Sequence, residues 1–321
     1  MQVQLTCEIE AGKLFFEYVH DVRIKSTWKQ LTDTCVIAQP RALKTKQGLG
    51  IGDILKAGDN VLVKLGYNFA NQQRFTGFVS RYTANTAVAE IHCEDEMWKL
   101  KQTVLNKSWK STTVQEVVEY IKSETGSTWE YDILGDSVEI GAVKLEKISA
   151  AKVLEKLKTD FYQTCFFRKG KLIVGKPYEP EPTKRRKVVL EYGRNVIDWK
   201  GLEYKRRDEL RINVTAISNM PDGKKKEVKV GDSDGEQRTL NFYNLSEQAL
   251  KQQAEALLER LKYEGFRGKV PLFGQPMVEH GDVVVIKNER YPNKEGEYFI
   301  DAVDIEFNTK YRQVVELGLK L

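Results

Sequence analysis

The sequence of 321 residues contains few of the residue types that build metal, disulfide or nucleophilic sites. It has three histidines, four cysteines and eight prolines. No histidine has a partner at the short spacing of a zinc or carboxylate metal site, so we expect no metal site and no cofactor. The cysteines are far apart in apolar or strand-like runs, which predicts buried free thiols and not a disulfide framework. They are Cys7, Cys35, Cys93 and Cys165.

The sequence also lacks long apolar runs and a strong charge of one sign. No stretch reaches the roughly 18 apolar residues that a membrane-spanning helix needs, so we expect no membrane-spanning segment. The 51 basic residues nearly balance the 46 acidic ones, leaving a formal charge of +5, which does not by itself indicate a nucleic-acid-binding protein. The first residues lack the basic-then-apolar layout of a signal peptide, so we expect synthesis in the cytoplasm.

The pattern of the chain predicts a mainly β protein with an α+β insert. Short segments between Val3 and Cys93 are rich in β-branched and aromatic residues and are separated by glycines, which is typical of a small barrel or sandwich. Apolar stripes of helical spacing then follow Thr113 and Ser149, two residues suited to cap helices. Strand-like segments resume after the proline-rich linker candidate Lys176–Pro182, interrupted by one long helix predicted over 246–264.

We therefore predict three domains. A first β-barrel spans 1–105, a small α/β insert domain spans 106–178, and a second β-barrel that contains the long helix spans 179–321. An internal repeat supports two related barrels: Gly58-Asp59 and Gly281-Asp282 each precede a valine-rich strand, a polar loop, a strand led by glycine and a final strand.

Residues that could carry chemistry are sparse. Glu94, Asp95 and Glu96 could supply the carboxylates of a glycosidase, but they read equally well as the charged start of a short helix. No nucleophile, base and orienting partner occur at recognisable spacing, so we predict no catalytic residues and no enzyme activity. Three basic clusters could meet phosphates, yet aromatic residues do not alternate with them, and solvated turns or strand ends are the simpler interpretation. The clusters are Lys184-Arg185-Arg186-Lys187, Lys205-Arg206-Arg207 and Lys224-Lys225-Lys226.

Several segments resemble a known family, the tail-hub proteins of tailed phages of the late-control protein D type. The segments similar to its first barrel are Asp33-Thr34-Cys35-Val36-Ile37, Gly58-Asp59, Phe75-Thr76-Gly77-Phe78-Val79-Ser80 and Ile91-His92-Cys93-Glu94-Asp95. Those similar to its second barrel are Phe273-Gly274-Gln275-Pro276, His280-Gly281-Asp282 and Gly296-Glu297-Tyr298-Phe299-Ile300. The hub portion of type VI secretion spike proteins is also similar, and the resemblance extends over essentially the whole chain.

The resemblance implies a structural protein with two tail-tube-like barrels in each chain. Its homotrimer would form a pseudo-hexameric ring that joins the sixfold tail tube to the threefold central spike. The expected partners are further copies of the chain, the tail-tube protein and a separate spike protein, since the sequence ends at Leu321 without a β-helical extension. Other baseplate proteins are further candidate partners. The expected location is a virion tail or injection particle assembled in the bacterial host cytoplasm.

Two other functions remain open at this stage. One is a tail-tip cell-wall hydrolase that uses Glu94, Asp95 or Glu96 as its acid, and the other is a nucleic-acid-binding protein that uses the basic clusters. For the hub, we expect DNA only as transiting cargo, in a channel whose wall attracts it weakly and uniformly. The candidate channel-lining residues are Lys184, Arg185, Arg186, Lys205, Arg206 and Arg207.

Overall fold

The computed structural model describes residues 3–46, 48–126, 128–134, 139–161, 163–175, 185–287 and 295–321. The linker candidate Lys176–Pro182 and the candidate channel residue Lys184 lie outside these residues. Strands dominate the described chain, so the predicted mainly β class is confirmed.

The first part of the chain is an antiparallel β-structure with one short helix. In β3 and β7 alternate residues are buried, because successive side chains of a strand point to opposite faces. Its elements are β1 (Leu5–Ala11), β2 (Leu14–Phe16), β3 (Asp21–Thr27), β4 (Thr34–Pro40), α1 (Ile51–Ile54), β5 (Asn60–Tyr67), β6 (Ala70–Thr83) and β7 (Val88–Glu94).

The insert follows as an α/β unit with its own buried cluster. The predicted cap at Thr113 is confirmed: its hydroxyl accepts a hydrogen bond from the Glu116 backbone N–H, and the Glu116 carboxylate accepts one from the Thr113 N–H. Gly126 ends that helix in a left-handed conformation with φ 57°. The elements are α2 (Met97–Gln102), β8 (Val104–Thr113), α3 (Val114–Thr125), β9 (Glu130–Leu134), β10 (Glu139–Ser149), α4 (Ala150–Asp160), β11 (Thr164–Arg168) and β12 (Lys171–Gly175).

The buried cluster of the insert begins before residue 106. Met97 and Leu100 of α2 are fully buried in it, together with Leu105. α2 also packs against α4. The domain limits at 105/106 and 178/179 stay predictions, and the insert core extends N-terminally to α2.

The last part of the chain contains two layers. Strands β15 to β17 form a small sheet covered by α5, with Val214, Leu250 and Ala254 buried between them. The remaining strands of this part belong to a 13-stranded sheet, the large sheet, which also contains the strands of the first part. The elements are β13 (Lys187–Glu191), β14 (Leu202–Lys205), a 3-10 turn (Arg207–Glu209), β15 (Ile212–Asn219), β16 (Lys225–Gly231), β17 (Glu236–Tyr243), α5 (Glu247–Leu261), β18 (Gly265–Phe273), β19 (Val283–Lys287), β20 (Gly296–Phe307) and β21 (Tyr311–Lys320).

The two predicted barrels are instead parts of one open sheet. The strand order is β14-β18-β21-β20-β3-β4-β7-β6-β5-β1-β2, with β19 and β13 branching from β20. β20 pairs with β19 through its first residues and with β3 through residues 302–307, so β3 connects the two halves. No pairing between the described strands closes either half into a barrel, and only an isolated bridge between Val196 and Leu272 joins the segment after β13 to β18. The prediction of two closed barrels is therefore wrong, although the mainly β class is correct. One hydrophobic cluster extends across both halves.

The internal repeat is present in the hydrogen bonds of the two Gly-Asp turns. The Gly58 N–H donates to Val79 O and the Val79 N–H donates to Asp59 O, at 2.8 and 2.9 Å. In the second half the Gly281 N–H donates to Ile300 O and the Ile300 N–H to Asp282 O, at 2.8 and 3.0 Å. Both glycines have positive φ, 92° and 78°, a conformation that glycine adopts without strain. Each turn leads into an antiparallel three-stranded meander, β5-β6-β7 or β19-β20-β21.

Candidate functional site

The large sheet presents a polar face that continues from the second half of the chain into the first. Glu306 of β20 lies opposite Arg23 of β3 and Arg312 of β21, and Asp304 lies opposite Lys25. Basic and acidic side chains nearly balance on this surface, which we call the charged sheet face. Its residues are Asp21, Arg23, Lys25, Arg81, Glu90, Glu94, Lys269, Asp304, Glu306, Arg312 and Glu316.

Ion pairs neutralise much of the charge on this face. Arg23 pairs with Glu90 at 2.5 Å and with Asp21 at 2.9 Å. Glu316 pairs with Lys29 at 2.5 Å. Burial acts to raise the Glu316 pKa, but hydrogen bonds from Lys29 and Lys269 and the positive charges of both lysines lower it overall. Exposed pairs of this type contribute at most about 1 kcal/mol each. The charged sheet face is therefore a mixed surface without a strong charge of either sign.

Arg185 and Arg186 lie beside the second Gly-Asp turn. Arg185 Nη1 donates to Gly281 O at 2.7 Å, and Arg186 Nε donates to Asp282 Oδ2 at 3.1 Å. Arg168, from the insert, donates to the other oxygen of Asp282 at 2.9 Å. The Asp282 side chain is fully buried, so these arginines hold a buried carboxylate at the junction of the insert and the second half. Their exposure to a channel stays a prediction.

The second predicted group lies elsewhere, at the end of β14 and in the 3-10 turn after it. Each of its three basic residues pairs with a carboxylate at the surface, away from the second Gly-Asp turn that Arg185 and Arg186 contact. The pairs are Lys205 with Glu203, Arg206 with Asp208 at 3.3 Å and Arg207 with Glu259 at 2.6 Å. The structure thus separates the candidate channel residues into two groups.

The third basic cluster lies at the β15–β16 hairpin. The Met220 N–H donates to Lys224 O at 2.8 Å and closes the turn, and Lys224 pairs with Asp222 at 3.4 Å. Lys225 and Lys226 begin β16. This location agrees with the interpretation of the cluster as a turn.

The acidic run before α2 makes local contacts. Asp95 is buried, and its two carboxylate oxygens accept hydrogen bonds from the backbone N–H groups of Met97 and Asp33 at 3.0 and 3.1 Å. Burial and the nearby charge of Asp33 raise the pKa of Asp95 well above its usual range. Glu94 pairs with Lys101 at 2.5 Å, and Glu96 pairs with Lys99 at 3.1 Å. Each carboxylate of the hydrolase alternative therefore has a structural partner.

Sequence reasoning missed the buried polar residues where the three parts of the chain meet. His280 is buried, with its Nε2 3.6 Å from Asp33 Oδ2 and its ring edge-on to Phe166 of the insert. The internal repeat identified Asp282 as a turn residue, but nothing in the sequence around Arg168 predicts that it pairs with the Asp282 carboxylate. Within the described chain, no cluster of three His, Cys, Asp or Glu side chains could hold a metal ion.

Comparison with known proteins gives matches in structure and none in sequence. No protein-family model and no curated protein matches the chain. The 43 kDa tail protein of prophage MuSo2 from Shewanella oneidensis is similar over 98% of this chain and 97% of that protein, with a TM-score of 0.63 and 13% identity. The tail protein from Neisseria meningitidis MC58 is similar over 99% and 96%, with a TM-score of 0.64 and 13% identity. This chain has the fold of phage tail proteins.

The tail-protein fold is shared with a secretion component. The E. coli c3393 protein, a component of the type VI secretion system with structural similarity to the T4 tail proteins gp27 and gp5, is similar over 97% of this chain and 76% of its own. The TM-score is 0.57 and the identity 11%. The resemblance to phage hub proteins and type VI spike proteins is confirmed at the level of the fold. Within its described residues this tail-protein fold has no helix long and apolar enough to cross a membrane.

Proposed function

We propose that this chain is a structural, non-enzymatic hub protein of a phage tail or phage-like injection particle. The observation that carries the proposal is the similarity to two phage tail proteins over nearly the whole length of both chains. The two equivalent Gly-Asp meanders in one sheet add a second argument. A chain with two related halves can form a homotrimer that presents a pseudo-hexameric ring, and such a ring adapts a sixfold tube to a threefold spike.

The charged sheet face is our candidate for the channel wall of this ring. It is continuous across both halves, and its basic and acidic side chains pair with one another, as in Arg23–Glu90. A wall of balanced charge lets DNA pass as cargo, since each tight phosphate contact would slow transit. This proposal adds a mixed wall, and the described residues Arg185, Arg186, Lys205, Arg206 and Arg207 stay candidate channel-lining residues.

The partners that we propose are further copies of the chain, the tail-tube protein on one side of the ring, and a separate spike protein on the other. Other baseplate proteins are further partners. The similarity to a type VI secretion component supports a spike-associated role. Assembly takes place in the bacterial host cytoplasm, and the protein ends in the virion tail or injection particle.

The test is the mass and shape of the purified protein. We expect mass photometry, alone or with the tail-tube protein, to give a homotrimer, and negative-stain images to show a ring with a central channel. A monomeric mass at micromolar concentration, with no ring after the tube protein is added, would contradict the proposal. Peptidoglycan digestion that disappears in the Glu94→Gln or Glu96→Gln variant would instead favour a hydrolase.

A further inference from the structure

The turn between β5 and β6 presents an aromatic side chain to solvent. Tyr67 pairs with Ala70, so Asn68 and Phe69 form a two-residue turn. Both have positive φ, 51° and 65°, as in a type I′ turn. Asparagine tolerates this conformation, but a bulky aromatic residue is strained in it, and glycine is the usual residue at the second position. Phe69 is nevertheless 74% exposed, so packing within the chain does not explain the ring.

Hydrogen bonds to the start of β1 hold this turn in place. The Gln4 N–H donates to Asn68 Oδ1, and the Asn68 N–H donates to Gln4 O, both at 2.9 Å. The Phe69 N–H donates to Thr6 Oγ1 at 3.1 Å. The exposed ring is therefore carried on a fixed backbone, and rigid aromatic side chains contribute strongly to binding at protein interfaces. Backbone strain at such a residue points to a contact with another molecule.

An apolar pocket of ≈ 360 Å³, which we call the β2 pocket, lies beside the strand that ends the order of the large sheet. Its volume exceeds the roughly 150 Å³ in which an apolar protein cavity holds a benzene ring. Phe15, Tyr18 and Leu43 are 56, 82 and 40% exposed. Together they expose roughly 350 Å², the size of apolar patches that are often functional. The apolar lining residues are Leu14, Phe15, Phe16, Tyr18, Leu43 and Ile51.

Phe69 cannot enter the β2 pocket of its own chain. Leu5 of β1 pairs with Tyr67 beside the turn, and Ala11 at the other end of β1 pairs with Leu14 of the pocket. The strand between these two points is about 20 Å long, which is well beyond the reach of a phenylalanine side chain. A contact between the ring and the pocket must therefore join two copies of the chain.

We propose that Phe69 of one copy inserts into the β2 pocket of a second copy. The turn that carries Phe69 is uncharged, with Asn68, Ala70 and Asn71 beside the ring, so it enters an apolar pocket without removing a charge from water. A standard interface buries about 800 Å² on each partner, so an apolar patch of roughly 350 Å² can form its centre, with polar surface as the rim.

This contact is of the head-to-tail type, because the ring and the pocket are different parts of the surface. Head-to-tail contacts build a closed ring when the rotation between copies closes and an open filament when it does not. The inference rests on the proposed function for the number of copies in the ring. The contact itself follows from the ring, the pocket and the distance between them.

The first test locates the contact by photo-cross-linking of the full-length protein, alone and with the tail-tube protein. With p-benzoylphenylalanine in place of Phe69, we expect irradiation to join two copies, and peptide mass spectrometry to place the link within residues 14–18 or 43–51. The control carries the same photoreactive residue in place of Tyr192, an aromatic residue of the second half that is 65% exposed. The control should give no link to the β2 pocket.

The second test separates assembly from stability. Phe69→Asn removes the ring and suits the positive φ, so we expect association at least about tenfold weaker in a dilution series followed by mass photometry. The urea midpoint, measured where the parent is dissociated, should not fall, because the strain is relieved. A residue that only stabilises the fold would lower it. The control Lys147→Asn changes another exposed residue of positive φ, 46°, and should leave association unchanged.

A variant of the pocket tests the other side of the contact. Tyr18→Ser should weaken association as Phe69→Asn does. The double variant should associate no more weakly than the weaker single variant, because both changes remove the same contact. Losses that add in full would show that the two residues act at separate places and would overturn the inference.

Two further results would overturn it: association of Phe69→Asn equal to that of the parent, or links from position 69 that lie outside the β2 pocket, including links to the tail-tube protein. A trimer that forms equally well with Phe69→Asn refutes this inference and leaves the proposed function intact. Links to the pocket in a filament or dimer refute the trimeric ring and leave the contact intact. A parent protein that stays monomeric at micromolar concentration and gives no link contradicts both.

Discussion

Replacement of Asp282 by asparagine should destabilise the protein far more than the same change at the equivalent position of the first half. The Asp282 carboxylate is fully buried and accepts hydrogen bonds from Arg168, Arg186 and the Glu279 backbone N–H. Asparagine keeps the shape of the side chain. It removes the charge and turns an NH₂ group toward donors that need an acceptor.

The loss of stability expected for Asp282→Asn depends on how exposed Arg168 and Arg186 are. Removal of one member of a fully buried ion pair costs about 3–5 kcal/mol. The Arg168 and Arg186 side chains are 24% and 39% exposed, so water screens part of their charge, and we expect a loss of about 2–3 kcal/mol. Asp59 is the matched control. It makes the same turn, with its carboxylate 2.8 Å from the Lys56 N–H, but it forms no ion pair with a described residue, and Asp59→Asn should cost at most about 1 kcal/mol.

The assay is urea unfolding of full-length protein, followed by tryptophan fluorescence for the parent, the two single variants and Arg168→Gln with and without Asp282→Asn. The double-mutant cycle isolates the coupling between Arg168 and Asp282, which we expect to be about 1–3 kcal/mol. Equal losses for Asp282→Asn and Asp59→Asn, or a coupling energy near zero, would refute the reasoning that this carboxylate joins the insert to the second half of the chain.

Three further predictions concern buried groups. Burial and the charge of Asp33 raise the Asp95 pKa. The stability that Asp95 contributes is therefore complete below its unfolded pKa of about 4 and is lost as the pH rises toward its folded pKa. Urea midpoints measured at several pH values should fall less steeply with rising pH for Asp95→Asn than for the parent. Burial raises the Cys165 pKa to about 12, so a thiol reagent such as DTNB should label this cysteine only after unfolding, and fast labelling of the native protein would contradict its burial. Gly77→Ala should cost more than about 2 kcal/mol, since the new Cβ would lie 2.1 Å from Glu94 O, and a thermal midpoint unchanged from the parent would be inconsistent with that contact.

The features that sequence reasoning predicted correctly are local ones. The caps at Thr113, Ser149 and Ser246 begin α3, α4 and α5 as predicted, because a capping side chain bonds to backbone groups only two or three residues away. The two Gly-Asp turns also make the same pattern of hydrogen bonds, because a glycine at positive φ followed by an aspartate is sufficient to set a turn.

Strands of low apolar content were harder to predict. β3, β8 and β17 contain many charged and polar residues, so the sequence does not predict them as strands, although Val22 and Ile24 alternate with charged residues in β3 as a strand requires. Lysines and arginines on its polar face masked this alternation. The missed strand is the one that connects the two halves of the sheet.

The sequence by itself determined the three longer helices and their caps, most of the strands, that the chain is mainly β, and that its two halves are related. Only the tertiary structure decided that Val22 of β3 pairs with Phe307 of β20, so that the two expected barrels become one open sheet, and that Arg168 reaches Asp282. The physical reason is that turn, cap and periodicity depend on neighbours in the chain, whereas strand pairing uses backbone groups that every residue has. The choice among distant partners is made by the burial of the apolar face of each strand, and the resulting arrangement also leaves the buried carboxylate of Asp282 paired.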